Sequence, residues 1–158
     1  MEDDVKYMEM ALREAEKAAS DGEVPTGCVI VNKDGRILGR AHNQTEGLTD
    51  ATAHAEMLAL SSAFNATGNW RLAGSTLYVT KEPCPMCAGA IVLARPDRVV
   101  WGVSDPKRGG STVFGIFRHP GINHHPEIVS GVLEEPCKSV LQDFFRRRRG
   151  KDAPDDQA

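Results

Sequence analysis

One segment, Pro83-Cys84-Pro85-Met86-Cys87, restricts the fold of this chain more than any other. Proline is tolerated in a helix's first turn, so the two prolines mark a helix start. Cys84 and Cys87 are three residues apart, and one helical face therefore presents both sulfurs. The positive end of the helix favours thiolate over thiol. A second short segment, His54-Ala55-Glu56, lies where another helix begins. If His54 joins the two sulfurs, two helix starts must meet at one point.

Hydrophobic periodicity supplies the rest of the outline. Val5, Met8, Leu12, Ala15 and Ala19 recur at spacings of three and four and predict a first helix, ended by Gly22 and Pro25. Cys28 to Val31 reads as a buried strand, Lys33-Asp34-Gly35 as a turn, and Arg36 to His42 as the returning strand of a hairpin. A helix follows over Thr52 to Asn65, and Gly68 stops it. Thr76 to Thr80 is a strand, and the helix opened by the prolines runs to Arg95, where Pro96 breaks it. Strands over Arg98 to Val103 and Ile128 to Leu133 flank a glycine-rich loop from Asp105 to His125. Pro136 opens a last helix with Val140, Leu141, Phe144 and Phe145 as its apolar stripe. Strands alternating with helices imply an α/β fold, a sheet covered on both faces.

A chain of 158 residues suits one domain, expected over residues 1–149 with a disordered tail at 150–158. Hydrophobic residues at 41% and charged residues at 26% rule out a largely disordered chain. The net charge of −3 excludes a uniformly basic nucleic-acid protein. It does not exclude a local basic face, because the charge is unevenly placed. Met1 to Asp21 carries seven acids against three bases, whereas Lys138 to Lys151 carries six bases against Asp143 alone. A basic end on an acidic protein fits a polyanion contact or a solvated helix end. No apolar run is long enough to cross a membrane, and the acidic N-terminus does not resemble a secretory signal, so a cytoplasmic location and no membrane partner are expected. In a reducing compartment the close cysteine pair points to metal or redox chemistry. Cys28, in an apolar strand, and Cys137, in a late helix, read as packing residues.

Taken alone, His-x-Glu is weak, and Cys-x-x-Cys fits a redox pair as well as half a metal site. Together, each opening a helix, they are far more specific. His54, Cys84 and Cys87 give one nitrogen and two sulfurs, which leaves a tetrahedral position open to water, the composition of a catalytic zinc site. Glu56 points at the same place without being forced onto the metal, and suits the carrying of a proton.

These residues resemble the His-x-Glu…Pro-Cys-x-x-Cys signature of zinc nucleobase deaminases. The similarity is greatest to bacterial tRNA adenosine deaminases. It extends through Glu23-Val24-Pro25, Asp50 to Leu60, Leu77 to Ala90, Gly102 to Gly109, His119 to His124, Ser130 to Leu133 and Asp143 to Arg146. The resemblance implies a three-layer α/β/α cytidine-deaminase-like domain with a central mixed five-stranded sheet, one Zn2+ per chain, no organic cofactor, and a homodimer. It implies His54, Cys84 and Cys87 as zinc ligands and Glu56 as the proton shuttle. Asn43 and the backbone near Ala55 would hold the extruded nucleotide. Asp105, Lys107, Arg108, His119, Asn123 and His124 would lie along the RNA groove, and Phe144, Phe145, Arg146, Arg147, Arg148 and Arg149 would flank a tRNA anticodon stem-loop. The chain departs from the family pattern at Thr26, Cys28, Ala51, Trp70, Arg118 and His125-Pro126, none of them in the metal set. The implied reaction is hydrolytic deamination of adenosine to inosine at the wobble position. A guanine, cytosine or nucleoside deaminase with the same zinc chemistry is the alternative, and a non-catalytic zinc-stabilised RNA-binding subunit is a more distant one.

Overall fold

In the computed structural model, which describes residues 2–151, the helix-forming period at the N-terminus becomes α1 (Glu2–Ser20). Its buried face carries Tyr7, Met8, Ala11, Ala15 and Ala18, with the acids Asp4 and Glu14. The sheet comprises β1 (Gly27–Val31), β2 (Ile37–His42), β3 (Thr76–Lys81), β4 (Arg98–Val103) and β5 (Glu127–Ser130). Its strand order is β2-β1-β3-β4-β5. β1 pairs antiparallel with both β2 and β3, whereas β3–β4 and β4–β5 are parallel. The described residues hold three more α-helices: α2 (Ala55–Thr67), α3 (Pro85–Ala94) and α4 (Glu134–Lys151). The expected mixed five-stranded sheet is therefore present.

Strand side chains alternate between the two covering layers, as the pleat requires. Cys28, Ile30, Leu77, Val79, Val99 and Trp101 pack with the buried residues of α2 and α3. Val29, Val31, Tyr78 and Val100 pack with α1 and with Cys137 of α4. Burial on both faces explains why these strands read as unbroken apolar runs. The layers meet the sheet closely. A Cβ on Gly39 of β2 would collide with the Ala59 carbonyl oxygen, so only glycine lets α2 lie this near. On the other face, Asp4 at the start of α1 is buried and takes both Arg98 guanidinium nitrogens at 3.0 Å and the Tyr78 hydroxyl at 2.7 Å. The Arg98 bond holds the Asp4 carboxyl below its usual range.

The boundaries differ most from expectation around α2, β5 and α4. α2 begins at Ala55, because Thr52 is held in a turn by Asp50 Oδ1. β5 ends at Ser130, and Gly131 (φ 85°) and Leu133 (φ 53°) turn the chain into α4 at Glu134, ahead of Pro136. Gly150 and Lys151, expected in a disordered tail, belong to α4, while residues 152–158 of that tail lie outside the described residues. The stretch from Asp105 to His125 holds one short 3-10 turn, Ile116–Arg118, whose Phe117 is buried with its ring 6.5 Å from that of Trp101. Among the described residues, no helix is long and apolar enough to cross a membrane.

Candidate active site

The parallel pair β3–β4 ends at one edge of the sheet, with Lys81 opposite Val103. Such edges are where open α/β sheets receive ligands. From there the chain passes through Glu82 and Pro83 into α3. Cys84 caps α3 and His54 caps α2, both in extended conformation, and neither side chain makes a capping hydrogen bond. Imidazole and thiol are thus left for each other. His54 Nδ1 lies 3.6 Å from Cys84 Sγ and 3.5 Å from Cys87 Sγ. All three donor atoms lie within 4.8 Å of one another, the one such group of ligating side chains among the described residues. A tetrahedral zinc with Zn–N of about 2.0–2.1 Å and Zn–S of about 2.3 Å separates nitrogen from sulfur by about 3.5 Å. Both nitrogen–sulfur distances therefore already match the edges of a zinc tetrahedron.

Their protonation fits the same ion. A hydrogen bond from Cys87 pushes the Cys84 thiol down to about 4, with His54 adding to the effect, so Cys84 is a thiolate. Cys87 is raised, by its bond to that thiolate and by burial. His54 is raised, chiefly by its bond to Cys84. The cluster holds its negative charge with a shared proton, which a cation would displace.

Glu56 sits in the first turn of α2, with only 3% of its surface exposed. Its Oε1 is the one buried side-chain oxygen or nitrogen among the described residues without a hydrogen-bond partner. Burial pushes the carboxyl up to about 7, against the pull of its own backbone N–H and of His54. An unpartnered acceptor beside three metal donors is placed to exchange a proton with whatever occupies the fourth position. Cys28 lies beneath the site, fully buried, and burial raises its thiol far above the ordinary range. Burial likewise pushes Cys137 up to about 12. Both are packing residues.

Asn43 follows β2, and its Oδ1 accepts the Ala55 N–H at 2.7 Å. It supplies the cap that His54 does not. The Ala55 N–H is thereby occupied, and the Asn43 amide NH2 is what this pair has left to offer a ligand. Asp105, Lys107 and Arg108 share one turn, in which Asp105 Oδ1 accepts both following N–H groups at 2.9 and 3.0 Å. His119 Nδ1 accepts the Gly121 N–H, and His124 Nε2 donates to the Pro96 carbonyl at 2.7 Å, tying its loop to the link between α3 and β4. Asn123 is exposed.

α4 lies on the opposite face of the sheet from α2 and α3. Phe144 is buried there under the Arg148 guanidinium, so Phe145, half-buried and edge-on to it, is the more accessible ring. Arg146 pairs with Asp143 at 2.8 Å, and all four arginines are exposed.

Two of the buried carboxylates that received no role from the sequence hold loops around the site. Glu23 accepts the Glu46 N–H at 3.0 Å and the Gly47 N–H at 2.7 Å, and holds the loop after Asn43. Glu82 accepts from Asp105, Ser111 and Thr112 in the loop after β4. The one available signal was an acid directly before Pro83-Cys84, at the end of an apolar strand.

Comparison with known proteins agrees with this geometry. Residues 1–103 match the family described as the cytidine and deoxycytidylate deaminase zinc-binding region. The chain is 52% identical over 152 residues to a tRNA-specific adenosine deaminase of Bacillus subtilis, covering 96% of this chain and 94% of that protein. It is 45% identical over 150 residues to one of Streptococcus pyogenes, covering 94% of each. A solved structure from a study of A-to-I editing by tRNA:A34 deaminases superposes with a TM-score of 0.83 at 44% identity, over 86% of this chain and 99% of that one. The chain belongs to the zinc-binding cytidine and deoxycytidylate deaminase family, among its tRNA-specific adenosine deaminases.

Proposed function

We infer that this chain is a zinc-dependent hydrolase that converts adenosine to inosine at the wobble position of a tRNA anticodon. The observation that carries the chemistry is the unpartnered Glu56 Oε1 beside the His54, Cys84 and Cys87 donors. The relatives, named as tRNA-specific adenosine deaminases, support the substrate. In this reading residues 1–149 form a single zinc deaminase domain.

His54 Nδ1 and the two sulfurs would hold the ion, one per chain. When bound, the ion would supply a water acidified from a pKa of 15.7 to about 7, as in well-studied zinc sites, and so a nucleophile at neutral pH. Glu56 accepts a proton from the attacking water and delivers it to N1 of adenine as the C6–O bond forms. It then takes the proton of the new C6 hydroxyl and passes it to the 6-amino group; the C6–N bond breaks, the C6 carbonyl of inosine forms, and ammonia leaves. An oxygen that no hydrogen bond holds leaves this carboxyl free to serve both directions of transfer. The Asn43 amide positions the base. An anticodon loop suits such a pocket because its bases are already unpaired, which lowers the cost of extrusion.

Asp105, Lys107, Arg108, His119, Asn123 and His124 are proposed to line the RNA path. Phe145 would stack on an unpaired base, with Phe144 supporting it, and Arg146 to Arg149 would hold phosphates. A second copy of the chain is proposed to cover an apolar groove between α2 and α3. That groove includes Phe64, Trp70 and Leu93, the last two 63% and 72% exposed. A cytoplasmic location agrees with a tRNA substrate. The test is incubation with an anticodon stem-loop beside free adenine, guanine and cytosine, followed by nucleoside mass analysis. Inosine in the RNA supports the reading, and deamination of a free base alone overturns it.

A further inference from the structure

We propose that Glu82 is a positioning residue that fixes the RNA-facing turn at residues 105–112 against the segment carrying the metal ligand Cys84. The proposal rests on the RNA role inferred above for that turn. Glu82 is 3% exposed, and among the described residues its carboxylate accepts four hydrogen bonds, all from this turn. Oε1 takes the Asp105 N–H at 2.8 Å and the Thr112 hydroxyl at 2.7 Å. Oε2 takes the Ser111 N–H at 3.0 Å and the Thr112 N–H at 2.7 Å.

The turn sits flush on the chain that leaves β3. A Cβ on Gly109 would run into the Glu82 carboxylate. The Gly110 N–H donates to the Pro83 carbonyl at 2.8 Å, and a Cβ on Gly110 would meet the Pro83 and Cys84 carbonyl oxygens at 3.0 and 3.1 Å. Glu82 fixes the backbone of Asp105, and the Asp105 carboxylate in turn fixes the backbone of Lys107 and Arg108. The placement of these side chains relative to the reactive centre is thus set two residues from Cys84. Every Glu82 oxygen faces donors. An amide would turn its NH2 towards either two backbone N–H groups or the Asp105 N–H, so glutamine cannot replace it without a donor meeting a donor.

The test compares Glu82→Gln with the wild-type protein, both zinc-loaded. KM for the anticodon stem-loop should rise about tenfold or more while kcat stays within about threefold, the pattern of weakened substrate binding with the chemistry intact. Zinc content should be unchanged. Amide exchange at Asp105, Ser111 and Thr112 should quicken at least about tenfold, with β1 amides unaffected. Thr112→Val removes one of the four bonds and should move KM and exchange the same way by less, which keeps the idea testable if Glu82→Gln folds poorly. Unchanged KM with reduced kcat, or unchanged exchange across the turn, overturns the proposal. If the wild-type protein leaves the stem-loop untouched, the substrate reading fails instead, and the exchange measurement alone decides the role of Glu82.

Discussion

Replacing Asp4 with asparagine tests the clamp between α1 and the sheet. Asp4 is 3% exposed and pairs with Arg98 through two bonds of 3.0 Å, while Tyr78 donates a third of 2.7 Å. Breaking a fully buried pair costs about 3–5 kcal/mol. Here the Arg98 side chain is 25% exposed and retains Glu127 at 3.3 Å, so the smaller loss expected is about 2–3 kcal/mol. For a chain of this size that is a fall in Tm of about 4–12 °C at pH 7. The sign of the pH dependence follows from the depressed Asp4 pKa. A carboxyl whose folded pKa lies below its unfolded value of about 3.9 stabilises fully above that value. The stabilisation is lost as pH falls through the folded value. Asparagine is the permanent counterpart of protonation, so the gap in Tm between the two proteins should close in thermal scans from pH 7 to below pH 4. Acid also strips metal from thiolates, but it does so in both proteins, and the difference between them isolates Asp4. A gap that stays constant down to pH 3, or a Tm unchanged at pH 7, would refute the reasoning.

Other expectations concern the metal, the basic end and the assembly. The Cys84→Ala, Cys87→Ala double variant should lose its zinc, and elemental analysis showing unchanged metal would remove the basis for the site. Changing Arg146 to Arg149 to glutamine should weaken RNA binding and flatten its salt dependence by about one unit of slope for each phosphate no longer neutralised. Zinc content should stay constant, and an unaltered salt slope would make the cluster a solvated face only. Leu93→Glu, on the exposed apolar groove, should shift light scattering from dimer to monomer; a wild-type protein that is monomeric and active would count against the dimer.

The cluster of His54, Cys84 and Cys87 was legible in the sequence because its chemistry and helix-start positions are local facts: His54 before Ala55-Glu56, Cys84 and Cys87 around Pro85. The sheet was legible because Cys28 to Val31, Leu77 to Val79 and Val99 to Trp101 are apolar runs of strand length. What stayed hidden depends on distant partners. Asp4 looks like any acid in a first helical turn until Arg98, ninety-four residues on, meets it. Glu82 and Glu23 look solvated until folding buries them against loops with no periodicity of their own. Leu133 adopts a positive φ without being glycine, so nothing local marked the start of α4 at Glu134. Phe144 and Phe145 are adjacent in sequence, and only packing decides that the first is the buried one.

The most direct test of the central claim is single-turnover deamination of an anticodon stem-loop with adenosine at the wobble position, by zinc-loaded wild-type and Glu56→Ala proteins. The wild type should form inosine, and Glu56→Ala should keep its zinc while losing about 10²–10⁴-fold in rate, the usual contribution of a positioned acid–base group. Equal turnover by zinc-loaded Glu56→Ala, or no inosine from the wild type, would contradict the account.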